Sequence, residues 1–233
     1  MRQLALAKKL LWLTVGSIFI TVFVLSSVLW WQLSSSNQQL AAQSEKLIVA
    51  EVEDKLASNA AAYGEQVAGF INEAYRVPYS FAAILGDNDA AATLTRDAVV
   101  ELNRSLLQKN DILSSIYSQF EANAFDGRDA NFISGYDHSV AGVGTLEIYF
   151  TRNRDGAIEQ QVVDDAAEKY VDTLNEFGQR EAEWYLCVKD TKVPCIMEPY
   201  LYEITPGYSE MMTSLTVPIL RDNDFIGVAG VDL

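Results

Sequence analysis

Leu10 to Leu33, LLWLTVGSIFITVFVLSSVLWWQL, is a run of 24 residues without a charge. No other stretch constrains the fold as much. Roughly 20 apolar residues span the hydrocarbon core of a bilayer. A single segment there has to be helical, because only a helix satisfies its backbone groups internally. Arg2, Lys8 and Lys9 precede the run and no basic cluster follows it. The positive-inside rule then predicts a cytoplasmic N-terminus (1–9), a membrane helix (10–33) and an exported remainder from about Ser34. Trp12 near one end and Trp30 and Trp31 at the other suit the two interfacial belts. A cleaved signal peptide would have a shorter apolar region and small residues at its cleavage site. Trp30-Trp31-Gln32-Leu33 is bulky.

The chain has 17 basic and 32 acidic residues, a net charge of −15. That argues against nucleic acid as a partner, which wants basic surface. It also argues against a peripheral grip on anionic lipid. The charge serves solubility and leaves a mild bias toward cationic ligands. Two cysteines and one histidine are too few for a structural zinc site. Outside the cytoplasm, Cys187 and Cys195 read as a disulfide pair, with two buried thiols as the alternative.

From Leu40 to Tyr75 apolar residues recur at three-and-four spacing, among them Leu47, Val52, Leu56, Tyr63, Val67 and Phe70. That predicts a long helix over 34–86, continued or kinked at Pro78. Gly86-Asp87-Asn88-Asp89 is a turn signal. Thr95 is placed to cap a second helix, with Asp97 in its first turn, Lys109 in its last, and Leu102, Leu106 and Leu107 toward the core. The texture then changes. Ile112–Glu121, Thr145–Arg152, Ala157–Val163, Tyr208–Leu220 and Phe225–Leu233 read as strands, with turn signals at Asn153–Gly156 and Arg221–Asp224. Asp164 to Phe177 reads as helix, with Tyr170, Val171 and Leu174 on one side. Helices followed by antiparallel strands predict an α+β domain over 87–233, with helices against one face of a sheet.

One segment looks built rather than merely packed. Glu183 to Glu203, EWYLCVKDTKVPCIMEPYLYE, holds both cysteines and three tyrosines. The cysteines enclose seven residues between two segments expected to be extended. His138 stands alone in a polar loop without a nucleophile motif, so no catalytic role is assigned. Asp126, Asp129 and Asp155 lack calcium-loop spacing and are read as turn residues.

The element order, with QFEANAFDGRD (Gln119 to Asp129), EPYLYE (Glu198 to Glu203), MMTSLTVPI (Met211 to Ile219) and FIGVAGVDL (Phe225 to Leu233), resembles a double Cache sensor domain. This is the extracytoplasmic input module of bacterial chemoreceptors, sensor kinases and cyclic-dinucleotide enzymes. The resemblance covers the chain from the anchor onward and implies a PAS-like sheet, the membrane-distal module, flanked by the long helix. It implies a non-enzymatic, homodimeric input domain in the periplasm, anchored in the inner membrane, with no cofactor or metal. It also implies that the membrane-proximal module and the output domain lie beyond Leu233.

The amino-acid-binding branch of that family carries a Tyr, then Arg-x-Trp-Tyr, then the Tyr of EPY and an Asp closing the last strand. The Arg and Trp-Tyr region clamps a carboxylate; the later Tyr and Asp take an ammonium. By resemblance Trp184, Tyr185, Tyr200 and Asp232 match, with Tyr202 beside them. Ala182 stands where the Arg would be, Phe177 where the leading Tyr would be, and Arg180 is two residues early. The ammonium half is kept and the carboxylate half is lost. The expected ligand is a small polar metabolite, an amine or polyamine, with Glu183 and Glu203 compatible with a cation. The alternatives are an uncharged metabolite, an amino acid held by another Arg, or an interaction domain without a small ligand. The output type, chemoreceptor against histidine kinase or diguanylate cyclase, stays open.

Overall fold

The computed structural model describes residues 2–87, 92–175, 178–205 and 207–233. Asn88, Asp89 and Phe177, which figure in the expectations above, lie outside them. Helix α1 (Arg2–Gly86) takes in both the apolar run and the amphipathic stretch. Among the described residues it is the one helix long and apolar enough to cross a membrane. The chain divides into two compact units, Met1–Gln66 and Val67–Leu233. The first is helical wherever it is described, and its large apolar side chains are exposed.

The second unit is the α+β domain. Its part of α1 buries Ala74, Phe81, Ala82 and Leu85 along one stripe. Pro78 sits inside the helix and does not end it. Helix α2 (Arg96–Lys109) starts where the Thr95 hydroxyl accepts from the Ala98 N–H at 3.2 Å. Val99, Asn103 and Leu107 are its buried apolar-side positions, with Leu102 and Leu106 only partly covered.

Among the described residues eight strands follow: β1 (Ser115–Phe120), β2 (Glu147–Arg152), β3 (Ile158–Gln161), β4 (Cys195–Ile196), β5 (Tyr200–Thr205), β6 (Tyr208–Met212), β7 (Ser214–Arg221) and β8 (Asp224–Asp232). Six form an antiparallel sheet in the order β3-β2-β1-β8-β7-β4; β5 and β6 make a separate hairpin. The β7–β8 turn uses Asp222 and Asn223, both at positive φ, as a tight hairpin requires.

Period two assigns the faces of the sheet. Ile116, Phe120, Ile148, Phe150, Leu215, Val217, Ala229 and Val231 join the core with α1 and α2. The other face carries Ser115, Tyr117 and Gln119 on β1, Glu147 and Tyr149 on β2, and Gly230 and Asp232 on β8. The register sets these side by side: Tyr117 opposite Tyr149 and Gly230, Ser115 opposite Asp232, Gln119 opposite Glu147. That face is mixed: Ser115, Gln119, Glu147 and Asp232 are polar, while Tyr117 and Val228 belong to a smaller second apolar cluster.

Three expectations are corrected. Asp164 to Phe177 is not a helix: over its described residues it has one 3-10 turn, Glu168–Tyr170, and Leu174 is 66 % exposed. Tertiary contacts of Lys169 override the local pattern there. Conversely, Glu183–Thr191 is helix α3, not an extended segment. Tyr185 and Val188, one turn apart, bury together against Val228 and Cys195, on the face opposite α1 and α2. The sheet is therefore covered by helix on both faces. The stretch 208–220 is two strands broken at Thr213, because β6 leaves the main sheet to pair with β5.

Candidate ligand-binding site

The polar face of the sheet floors a cavity of about 550 Å³. Its walls are Trp184 from α3, Met197 to Tyr200 leading into β5, Tyr202 on β5, and the segment after β3 with Asp164, Asp165, Glu168 and Lys169.

Asp232 closes β8 at one end of the floor and is 1 % exposed. Three hydroxyls surround it. Ser115 donates to Oδ2, and Ser214 donates to Oδ1 at 2.6 Å. The Tyr200 hydroxyl lies 3.4 Å from Oδ1 and 2.9 Å from the Ser214 oxygen. Burial pushes the Asp232 carboxyl above the usual range, and the hydroxyl donors only partly oppose this. Aromatic rings enclose this end. Tyr117 meets Trp184 edge-on at 5.3 Å and Tyr149 at 6.0 Å, and Tyr149 meets Tyr202 at 6.0 Å. Burial, with the Asp232 charge second, raises the phenols of Tyr117, Tyr149 and Tyr200, keeping them protonated.

Glu147 lies about 13 Å along β1 from Asp232, at about 3.3 Å per residue. It is paired: Lys169 Nζ donates to Glu147 Oε1 at 2.6 Å and to the Phe120 carbonyl at 2.7 Å. Both side chains are 1 % exposed. Burial raises the Glu147 carboxyl despite Lys169. Arg180 also lines the cavity but is engaged twice, with Glu183 Oε2 at 2.5 Å and Asp190 Oδ2 at 2.7 Å. Among the described residues these are the wall's two basic side chains, and each is matched by carboxylates.

The structure brings Trp184, Tyr200, Tyr202 and Asp232 together around one cavity. It does not bring Tyr185 there. Helical geometry turns Tyr185 away from Trp184's side, so its ring is fully buried and its hydroxyl donates to Glu121 Oε1 at 2.7 Å. Glu183 and Glu203 are outside the wall as well: one serves Arg180, the other accepts from the Gly207 N–H at 2.7 Å. Cys187 and Cys195 are bonded, tying α3 to β4. Tyr117, Tyr149, Ser115, Ser214 and the Glu147–Lys169 pair were missed in sequence reading. The alternation in SIYSQF and EIYFTR was the available signal, since it places polar side chains on a single face.

The AFDG loop has another role. Asp126 and Asp129 receive the buried Arg96 guanidinium at 2.8 and 2.6 Å, and Phe132 lies under it at 4.0 Å. The Ser139 oxygen, which takes an Arg96 N–H at 2.9 Å, is 2.6 Å from His138 Nδ1. This cluster is away from the cavity and fastens α2 to the loop.

This fold is shared by solved structures. It matches "Methyl-accepting Chemotaxis protein X" with a TM-score of 0.64 at 24 % identity, over 80 % of this chain and 63 % of that one. It matches the extracellular domain of mmHK1S-Z2, assigned as a histidine kinase, with a TM-score of 0.59 at 23 % identity, over 73 % and 56 %. The fold is one found in extracellular and periplasmic sensory domains of other proteins. The periplasmic sensory domain of the Campylobacter jejuni chemoreceptor Tlp1 shares it at a TM-score of 0.52 and 15 % identity, over 73 % and 56 %. In sequence, 140 residues of this chain, 59 % of it, are 28 % identical to the methyl-accepting chemotaxis protein TlpQ of Pseudomonas aeruginosa. The chain spans 19 % of that relative's length and little more than half of the solved domains. No family model matches.

Proposed function

We propose that this chain is the ligand-binding input domain of a membrane-anchored chemoreceptor of the double Cache type. Its ligand is an amine without an α-carboxylate. The observation that carries the ligand class is the charge pattern of the cavity. Asp232 is a buried carboxylate among aromatic rings, which suits an ammonium. Lys169 and Arg180 are already held by Glu147, Glu183 and Asp190. A ligand carboxylate would have to break one of those pairs.

Ligand binding shifts a sensor only through unequal affinity for two shapes. The wall formed by Met197 to Tyr200 follows β4, and the Cys195 carbonyl of β4 accepts the Tyr75 hydroxyl of α1 at 2.5 Å. A displacement of the wall therefore acts on the helix that also contains the anchor. In this proposal residues 10–33 span the bacterial inner membrane, 1–9 stay in the cytoplasm and the domain lies in the periplasm. Val49, Leu56, Tyr63 and Phe70 are exposed on α1 at seven-residue spacing. That period suits a second, parallel copy, and both copies would be parallel in one membrane.

The test is thermal unfolding of the full chain in detergent micelles against primary amines, α-amino acids and dicarboxylic acids. Amines alone should raise the midpoint, and Asp232→Asn should remove the effect. A shift by amino acids that survives Asp232→Asn would refute the assignment.

A further inference from the structure

One ammonium at Asp232 leaves most of a cavity of about 550 Å³ to be filled. Along β1 the floor has three steps. Ser115 stands opposite Asp232, Tyr117 follows on the same face, and Gln119 lies about 13 Å beyond Ser115, at about 3.3 Å per residue. Gln119 lines the cavity and is 7 % exposed. Among the described residues its side-chain amide makes no hydrogen bond, yet neither polar atom of that amide is sealed from the cavity. The groups around it are engaged elsewhere. Glu147, its neighbour in register on β2, gives Oε1 to Lys169 and Thr145, and the Gln161 amide donates to the Thr151 hydroxyl.

A nearly buried amide without a partner is unfavourable, and the cavity is the side from which a partner can reach this one. Charge decides what kind. Lys169 ties the segment after β3 to this end of the floor, and Asp164, Asp165 and Glu168 of that segment line the cavity. Lys169 itself is matched by Glu147. A cation is therefore favoured here over an anion. Between the two ends the rings of Tyr117 and Trp184, edge-on at 5.3 Å, offer an apolar middle. We infer that Gln119 is a second contact for the ligand, its amide oxygen accepting an N–H from a second ammonium. The site then takes an α,ω-diamine end to end, with a methylene chain across the rings. This rests on the amine assignment above and specifies the ligand's second group and its length. With hydrogen bonds of about 2.9 Å at both ends, the two nitrogens stand about 7 Å apart, which suits 1,5-diaminopentane.

Calorimetric titration of the full chain in micelles with 1,5-diaminopentane, 1,3-diaminopropane and pentylamine tests the inference. The wild type should bind 1,5-diaminopentane about tenfold or more tighter than either of the others, the scale of one hydrogen bond to a charged group. The shorter diamine controls for the general attraction of an acidic cavity to a dication. Gln119→Leu removes the amide at similar size. It should bring 1,5-diaminopentane down to the level of 1,3-diaminopropane and leave pentylamine at or above its wild-type affinity. The chain-length comparison needs only the wild type, so it decides even where the variant does not fold. Pentylamine or 1,3-diaminopropane binding as tightly as 1,5-diaminopentane overturns the inference and leaves the amine assignment standing. So does an unchanged preference in Gln119→Leu. Binding of none of the three overturns the amine assignment itself, and this inference with it.

Discussion

The ring of Tyr117 occupies the space above Gly230, where a Cβ would stand 2.2 Å from the ring Cζ. The two residues are paired in register across β1 and β8. The second glycine of the closing GVAGVD run is thus an absent side chain that shapes the cavity floor.

Gly230→Ala should push the Tyr117 ring off the strand and into Trp184 and Tyr149. Overpacking of this kind costs about 1–3 kcal/mol. Urea denaturation should show that loss together with weakened amine binding. Wild-type affinity in a stably folded Gly230→Ala chain would contradict the role given to this pair.

Asp232 predicts two opposite pH trends. Its carboxyl is raised by burial, so between its unfolded and folded values the native state holds more protons than the unfolded state. The stability it contributes is full below the unfolded value of about 3.9 and is lost as pH rises through the folded value. Amine binding needs the carboxylate, so affinity falls as pH drops through the same raised value. Asp232→Asn should flatten both trends. Parallel profiles for wild type and variant, in urea midpoints and in amine titrations from about pH 4 to pH 8, would show that another group is responsible.

Arg96 is 3 % exposed and its guanidinium meets Asp126 and Asp129. Removing one partner of a buried pair leaves an uncompensated charge, worth about 3–5 kcal/mol. Arg96→Ala should therefore be strongly destabilising in chemical denaturation. A loss below about 1 kcal/mol would mean that water or a shifted loop replaces the guanidinium.

Tyr185→Phe separates packing from binding. Burial opposes ionisation of Glu121, but Lys189, Tyr185 and Tyr170 outweigh it and hold the carboxyl below its ordinary value. Deleting the Tyr185 hydroxyl should cost about 1.5–3 kcal/mol, as for a hydrogen bond to a charged group. Amine affinity should stay at the wild-type value, because Tyr185 is outside the cavity wall. Reduced affinity at unchanged stability would place Tyr185 in the site after all.

Much of this molecule follows from local pattern. The uncharged run 10–33, the amphipathic continuation of α1, the Thr95 cap and the hairpin turns rest on spacing and on residue types with short-range preferences. They appear at or near their expected positions. Trp184, Tyr200, Tyr202 and Asp232, singled out by resemblance, lie around one cavity. Glu183–Thr191 was not legible as a helix. Its aromatic and β-branched residues favour a strand, and it becomes a helix because Tyr185 and Val188 meet Val228 and Cys195 one turn apart. Asp164 to Phe177 fails the other way, since Lys169 gains more from the Phe120 carbonyl and Glu147 than from helical neighbours.

The sequence by itself determined the membrane-compatible helix, the α+β class and an Ala, not an Arg, two residues before Trp184. All are read from one segment at a time, because they depend on periodicity or on a single residue type. Only the tertiary structure decided which carboxylates and cations neutralise each other, and that the Tyr117 ring lies over Gly230. Those facts depend on strand register and on which face of α3 is buried. Residues far apart in the chain set both, so no local pattern records them.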